Sequence, residues 1–162
     1  MSTSPAPLDA DVLLSRIDAQ YQAMPPVAAL GVRVASFDGD TLRLAAPLSA
    51  NVNDKGCAFG GSLASVMTLA GWGMVTLKIE AAGLQADVYV ADSSIRYRAP
   101  VYADLEVAAV RDEEVGVDWP GFLAMLRSRG RARIGIRADC TLADGTVATE
   151  STARFVAITR PA

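Results

Sequence analysis

A glycine pair at the start of a long apolar stretch is the part of this sequence best suited to chemistry. Gly60 and Gly61 follow the loop-like segment 51–59 and lead into the apolar run 63–79. Backbone N–H groups at the start of a helix have no partner within the helix and lie at the positive end of its dipole, and glycine lets a ligand approach them. Such groups stabilise an oxygen that gains negative charge during a reaction, for example a thioester carbonyl. The alternative is structural, because glycine also lets a helix pack tightly against a strand.

The composition removes several common mechanisms. The chain contains no histidine, so any reaction must proceed without the commonest general acid–base. Two cysteines, Cys57 and Cys140, make neither a disulfide framework nor, without histidine, a plausible zinc site. Cys57 has no histidine to accept its proton, so it is predicted to fill space in the loop rather than to act as a nucleophile. We therefore expect no metal and no bound cofactor, and free thiols favour a reducing cytoplasm.

Two uncharged polar residues flank the glycine pair. Asn53 is suited to shaping the loop, as asparagine commonly does. Thr68 lies on one stripe of the predicted helix with Gly61, Ser65 and Trp72, at spacings of four, three and four residues. Its hydroxyl either bonds to a carbonyl one turn earlier or contacts a substrate or water. A threonine hydroxyl is not a base at neutral pH, so it could only orient a water.

Asp92 is the nearest plausible carboxylate. Strict alternation divides the predicted strand 87–98 into two faces, one with Val90, Asp92, Ser94, Arg96 and Arg98 and the other with Tyr89, Ala91, Ser93, Ile95 and Tyr97. The second face is predicted to cover the helix. Asp92 would then sit at a subunit boundary and could act as a base, including on the substrate of a partner subunit. The alternative is an ion pair with Arg96 or with a neighbouring strand.

The elements that position these residues follow a simple order. Hydrophobic periodicity and turn signals predict a helix at 8–24, strands at 30–37 and 41–46, a loop at 47–60, a helix at 62–80, strands at 87–98 and 104–111, a short helix at 117–127, and strands at 129–142 and 146–158. This order indicates an α+β fold with an antiparallel sheet wrapped around one long apolar helix and an extra N-terminal helix. We expect residues 1–24 to form a tail and helix, and residues 25–162 to form the main domain. One curled sheet leaves edges exposed, so at least a dimer is expected.

The overall balance of residues excludes other classes of protein. With 162 residues, 51% hydrophobic and 20% charged, the chain is predicted to be globular and to form one main domain. A net charge of −3 argues against a general nucleic-acid binder. The first residues lack a basic region followed by an apolar one, so no signal peptide is predicted. The apolar run is short for a membrane span and contains Ser65, Thr68 and Thr76, which favours a core helix and no membrane partner.

Three stretches of this sequence resemble a known group of proteins. They are residues 53–63 with 68–73, residues 91–97 with Pro100, and residues 130–134. These stretches are similar to those of the hot-dog-fold thioesterases, and in particular of the YiiD C-terminal thioesterase-like family. The resemblance covers the chain from about residue 25 to its end. It implies a hot-dog fold and an acyl-thioester hydrolase acting on acyl-CoA or acyl carrier protein, with the coenzyme A thioester as substrate rather than cofactor.

The resemblance and the residue patterns above together suggest roles for individual residues. The Gly60 N–H would polarise the thioester carbonyl, Asn53 and Thr68 would position water, and Asp92 would be the base. Substrate-binding residues would be Phe59, Gly61, Ser62, Ser65, Ser94, Arg129 and Arg131. Arginines on the predicted strand 129–142 are either a solvated face or a grip for coenzyme A phosphates.

The sequence also departs from the pattern of this family. Histidine is common in such enzymes where Phe59 stands, an acidic residue where Thr68 stands, and histidine in close relatives where Ser94 stands. These departures favour an alternative function, a non-catalytic hot-dog protein that binds acyl thioesters or other lipophilic ligands. A hydratase or dehydratase is excluded because it would need a catalytic histidine. In either case the predicted assembly is a homodimer that could pair further into a tetramer.

Overall fold

A computed structural model describes residues 9–161, so the predicted tail at 1–7 and Leu8, the first residue of the predicted helix, lie outside the described residues. Within that range the chain forms four α-helices and six β-strands. The helices are α1 (Ala10–Ala23), α2 (Pro25–Leu30), α3 (Gly60–Ala81) and α4 (Trp119–Arg129). The strands are β1 (Arg33–Phe37), β2 (Leu42–Ala46), β3 (Ala86–Tyr97), β4 (Leu105–Arg111), β5 (Arg131–Thr141) and β6 (Val147–Thr159). The strands form one antiparallel sheet in the order β1-β2-β4-β5-β6-β3, which wraps around α3. The predicted α+β, hot-dog architecture is confirmed.

The apolar helix α3 is the core of this arrangement. Two glycines let it approach its neighbours, because a Cβ at Gly71 would collide with the ring of Phe155 and one at Gly73 with the hydroxyl of Tyr21. Of the described helices, α3 is the one long and apolar enough to cross a membrane, but 67% of its most apolar stretch is buried inside the fold. The apolar run is therefore accounted for by packing against the sheet and α1.

The N-terminal helix has a side-chain cap at its start, and it is followed by a second helix that was not predicted. Asp9 caps α1, its carboxylate accepting from the Asp11 N–H at 3.2 Å. The extended backbone of Met24 ends α1. Pro25 then begins α2 instead of ending helical structure. Proline is favoured at a first helical position because its nitrogen needs no partner there. The strand predicted from residue 30 therefore begins at Arg33.

A β-bulge in β3 changes which residues face α3. The register with β6 shifts between Val90 and Asp92, so that Ala91 is an extra residue. Before the bulge, Val88 packs against the core and Val90 lines a pocket beside α3; after it, Ile95 packs against the core. Strict alternation therefore predicted the face of Ile95 correctly and that of Val90 wrongly. The extra residue at the bulge moves Val90 to the face that covers α3.

The end of α4 lies two residues later than predicted. Gly130, with φ of 68°, ends the helix in a left-handed conformation that favours glycine. Arg129 therefore closes α4 instead of opening the next strand, which starts at Arg131.

Candidate functional site

The start of α3 presents unpaired backbone donors. No side chain in the described part of the chain caps this end, and the first bond from the helix back to its N-cap residue is the Leu63 N–H to the Phe59 carbonyl at 3.1 Å. Among residues 9–161, the N–H groups of Gly60, Gly61 and Ser62 have no acceptor. Gly60 is half-buried and Gly61 is exposed, so a ligand can reach these groups. They lie at the positive end of a 22-residue helix, which suits an oxygen that gains negative charge.

The loop before α3 is fixed by two backbone bonds and by the side chain of Asn51. The Ala58 N–H donates to the Val101 carbonyl at 2.8 Å, and the Phe59 N–H donates to the Asn51 carbonyl at 2.7 Å. Asn51 is 2% exposed, and its amide donates to the carbonyls of Leu30 and Pro47, both at 2.8 Å. These bonds connect the start of α3 to the last residue of α2 and to Pro47, which directly follows β2. Sequence reasoning missed Asn51, although a second asparagine two residues before Asn53 was a visible signal.

Asn53 organises the loop with its side chain. Its Oδ1 accepts from the N–H groups of Lys55 at 2.8 Å and Cys57 at 3.2 Å, which is the turn-forming role. Its Nδ2 donates to Cys57 Sγ at 3.2 Å. The amide carries two hydrogens, so one such bond leaves a second hydrogen for another acceptor. Any direct contact of Asn53 with a ligand stays a prediction.

Two aromatic side chains frame the start of α3 without covering it. Phe59 is 56% exposed, and its ring lies beside Gly61 where a Cβ would otherwise stand. Tyr97, at the end of β3, donates its hydroxyl to the Gly60 carbonyl at 3.1 Å. Its ring would be 3.5 Å from a Cβ on Gly60, which is an ordinary contact. Each glycine of the pair therefore has one aromatic ring beside it.

The polar stripe along α3 is largely bonded to the helix itself. Ser65 Oγ donates to the Gly61 carbonyl and Thr68 Oγ1 to the Ala64 carbonyl, both at 2.8 Å. This is the back-bonding alternative considered for Thr68. Each hydroxyl oxygen can still accept a hydrogen bond. Ser62, by contrast, is only 6% exposed.

Two cavities lie along this face of α3. The first has a volume of about 130 Å³ and is lined by Met24, Thr68, Leu69, Trp72, Val90 and Phe155. Within the described part of the chain, no titratable side chain lines it. The second has a volume of about 660 Å³ and lies at the C-terminal end of α3, with Trp72 and Thr76 in its wall. Neither cavity includes Gly60 in a single protomer.

Asp92 forms an ion pair with a neighbouring strand. Both carboxylate oxygens accept from Arg154, with Nε at 3.0 Å and 2.9 Å, and Arg154 is also the cross-strand partner of Asp92 on β6. The next residue, Phe155, packs against Gly71 of α3, so Arg154 and Asp92 lie on the other face of the sheet. Bonding to Arg154 lowers the pKa of Asp92, which makes it a weaker base.

The remaining predicted binding residues are spread over the surface. Ser94 is exposed on β3 opposite Thr152. Arg129 and Arg131 are exposed beside Gly130, which pairs with Thr159 at the end of β6. That end of the sheet is where β3 begins, far from the Gly60 end of α3 in the same protomer. In residues 9–161 there is also no cluster of three or more side chains that could hold a metal ion.

The chain matches a family model and several solved structures. Residues 15–159 match the family described as "Putative thioesterase (yiiD_Cterm)". A protein of unknown function from Chlorobaculum tepidum is similar in structure, with a TM-score of 0.87 and 28% identity over 96% of this chain and 99% of the other. A structure described as a putative thioesterase from Shewanella oneidensis has a TM-score of 0.80 and 29% identity, covering 91% of this chain and 99% of its own. A Pseudomonas aeruginosa protein described as a "Probable Thioesterase" shares the fold, with a TM-score of 0.76 and 22% identity over 95% and 98% of the two chains.

Proposed function

Since this chain belongs to the YiiD C-terminal thioesterase-like family, we propose that it hydrolyses acyl thioesters of coenzyme A or acyl carrier protein. The observation that carries this proposal is the set of unpaired N–H groups at the exposed start of a buried helix. These donors are fixed by the loop bonds, so they need no reorganisation when the thioester carbonyl gains charge.

The proposed enzyme is a homodimer formed through β3. This strand has 12 residues and pairs with β6 on one side, while no strand of the described chain covers its other side. A long uncovered edge is a template for pairing with another strand. A two-fold axis near the middle of β3, at the bulge beside Asp92, pairs the greatest length of the two edges in antiparallel fashion.

This dimer brings together groups that a single protomer keeps apart. Gly60 and Thr68 are eight residues apart on α3, or about 12 Å at about 1.5 Å per residue, too far to act on one water and one carbonyl. Within a protomer, Tyr97 joins one end of β3 to Gly60, and the Trp72 indole joins the other end to α3 through the Val88 carbonyl at 3.1 Å. Antiparallel pairing of two β3 strands therefore places the Gly60 end of one protomer opposite the Thr68–Trp72 segment of its partner.

The chemistry at this composite site is addition of water to the thioester carbonyl. The Gly60 N–H, with Gly61 beside it, binds the carbonyl oxygen as it becomes an oxyanion. The Thr68 hydroxyl of the partner and the second amide hydrogen of Asn53 orient the water. The C–S bond then breaks, one proton of the attacking water ends on the departing sulfur, and the carboxylic acid and the thiol are released.

The charged surface offers a place for the rest of the substrate. In the proposed dimer, Arg129 and Arg131 of one protomer approach the Gly60 end of the other. Guanidinium groups bind phosphate well, so these side chains suit the phosphates of coenzyme A outside the acyl site. Both cysteines are free and buried, which is consistent with a cytoplasmic protein.

One observation favours a second function, non-catalytic binding of acyl thioesters. No titratable side chain of the described chain lines the pocket beside Thr68, and the Thr68 hydroxyl already donates to a backbone carbonyl. A site without a base can still hold a thioester by its carbonyl and acyl group. Binding of acyl-CoA without thiol release would identify this function.

Asp92→Asn tests whether this carboxylate is the base. Because Asp92 is paired with Arg154 on the sheet face away from α3, we expect the variant to retain its turnover. A general base contributes about 100- to 10,000-fold, so a loss of that size in thiol release would instead identify Asp92 as the base. Arg154→Gln is the matched control, since it breaks the same ion pair and leaves the carboxylate in place.

Release of free thiol from a panel of acyl-CoAs tests the proposed function directly. The panel should span short, medium and long chains and aromatic acyl groups, and an acyl carrier protein thioester should be included. We expect enzyme-dependent thiol release from at least one class, proportional to protein concentration. Tight binding across the panel with thiol release no faster than in buffer would contradict hydrolysis and establish the binding function.

A further inference from the structure

Trp72 stands between the two cavities on the uncovered face of α3. It lines the pocket of about 130 Å³ together with Thr68 and Val90, and it also lines the cavity of about 660 Å³ together with Thr76. Val88 and Val90 flank it on β3, Val88 on the side of the large cavity and Val90 on the side of the small pocket. The indole is therefore a wall between a small apolar space and a large one.

This wall is held from two sides. The Trp72 Nε1–H donates to the Val88 carbonyl at 3.1 Å, which fixes the indole to β3. Its ring packs against Tyr21 of α1 with centroids 5.9 Å apart, and Tyr21 is fully buried. The Tyr21 hydroxyl in turn donates to the Leu69 carbonyl at 2.7 Å, and it fits there because Gly73 has no side chain. Trp72 cannot swing away without breaking these contacts.

The two spaces differ in size and in chemistry. The small pocket is lined by apolar side chains apart from Thr68, and its volume is comparable to that of an engineered apolar cavity of about 150 Å³ that admits benzene. The large cavity is about five times larger and has charged residues in its wall, among them Arg16, Glu80 and Arg160. The small pocket suits the end of a short hydrocarbon chain or a single aromatic ring.

We propose that Trp72 sets the length of the acyl group that this protein accepts. The inference rests on the proposed function, because it takes the pocket beside Thr68 as the place where the acyl group ends. The thioester carbonyl lies at the Gly60 end of the partner, and the acyl group points into the pocket until it meets the indole. The preferred substrates are therefore thioesters whose acyl group ends in about six carbons or one aromatic ring inside that pocket. Removal of the indole opens the way into the large cavity.

The test compares Trp72→Ala with the wild-type protein on saturated acyl-CoAs of increasing length and on benzoyl-CoA. We expect wild-type kcat/KM to fall beyond a medium chain length, and the variant to extend this limit. Each further methylene that becomes buried contributes about fourfold, so two of them should raise the long-to-short ratio of kcat/KM by about 15-fold over wild type. An unchanged ratio in the variant would overturn the proposal.

A second tryptophan provides the matched control. Trp119 lies on α4, packs edge-on against Phe122 and carries Lys78 Nζ 5.3 Å above its ring, and it lines neither cavity. Trp119→Ala loses the same side chain and should leave the length preference unchanged. If Trp72→Ala does not fold, Trp72→Leu, which leaves a smaller void, must shift the ratio in the same direction. A shift of equal size in Trp119→Ala would show that the effect is not specific to the wall and would overturn the proposal.

A binding measurement separates this inference from the proposed hydrolysis. Calorimetry with acyl-CoA analogues that carry a methylene in place of the thioester sulfur, and so cannot be hydrolysed, reports chain-length preference without turnover. If affinity falls beyond a certain length in wild type and the limit moves outward in Trp72→Ala, Trp72 sets the length even in a protein that releases no thiol. If thiol is released but neither affinity nor kcat/KM responds to Trp72→Ala, the proposed function stands and the role of Trp72 is wrong.

Discussion

Gly60→Pro should lose about 100- to 1,000-fold in the rate of thioester hydrolysis while the protein stays folded. The substitution replaces the N–H group with the proline ring and keeps a backbone conformation that the helix start accepts. Proline is favoured at the first helical position, which Gly60 occupies, and the preceding Phe59 has φ of −64° and ψ of 131°, a conformation that proline tolerates well in its neighbour. Thiol release gives the rate, and thermal unfolding monitored by circular dichroism reports the fold.

Gly60→Ala is the matched control for this substitution. It also adds bulk, and its Cβ would meet the Tyr97 ring at an ordinary distance of 3.5 Å, but it keeps the N–H. We expect it to retain the turnover that Gly60→Pro loses. Equal losses in both variants would mean that bulk at the start of α3 impairs the enzyme, and the oxyanion role of the Gly60 N–H would be wrong.

Mixing two inactive variants should restore activity if each site is shared between protomers. Gly60→Pro removes the oxyanion donor, and Thr68→Val removes the hydroxyl that orients water. A dimer with one protomer of each kind contains one site with both groups intact and one site with neither. Since half of the dimers in an equal mixture are of this kind, thiol release should recover to about a quarter of the wild-type rate.

Each variant on its own is the control for the mixing experiment. Each variant mixed with itself should stay at its own low rate, and the recovery should need time for protomers to exchange. If both groups of a site came from one protomer, mixed dimers would contain no intact site and the mixture would give only the average of the two variants. Analytical ultracentrifugation of the wild-type protein adds a direct check, because the account requires a dimer.

Local sequence signals were sufficient for most of the fold. They failed where a single residue starts a new helix or shifts the alternation of a strand. The long apolar run predicted α3 because a helix wrapped by a sheet is apolar on nearly all sides. The predicted first helix ends just before Pro25, and because proline also starts helices, α2 was missed. The bulge at Ala91 has no sequence signal of its own, so the face of Val90 could not be predicted from alternation.

The candidate site was predictable in its backbone and less so in its side chains. Gly60 and Gly61 stand at the start of α3 as the sequence suggested, because helix starts are local features. The bonds of Asn53 within its loop and of Asp92 to Arg154 depend on where the loop and β6 lie, and sequence spacing does not contain that information. The proposed role of Trp72 was hidden for the same reason, since both cavities exist only after β3 and α1 have packed against α3.

The polarisation of a bound carbonyl tests the central claim most directly. An acyl-CoA analogue with a methylene in place of sulfur keeps the carbonyl and cannot be hydrolysed, and labelling that carbonyl with ¹³C makes its stretch visible by infrared difference spectroscopy. The account predicts a shift to lower frequency on binding that is retained in Gly60→Ala and lost in Gly60→Pro. A bound carbonyl with the frequency it has in water, or the same shift in both variants, would show that the start of α3 does not bind the thioester oxygen.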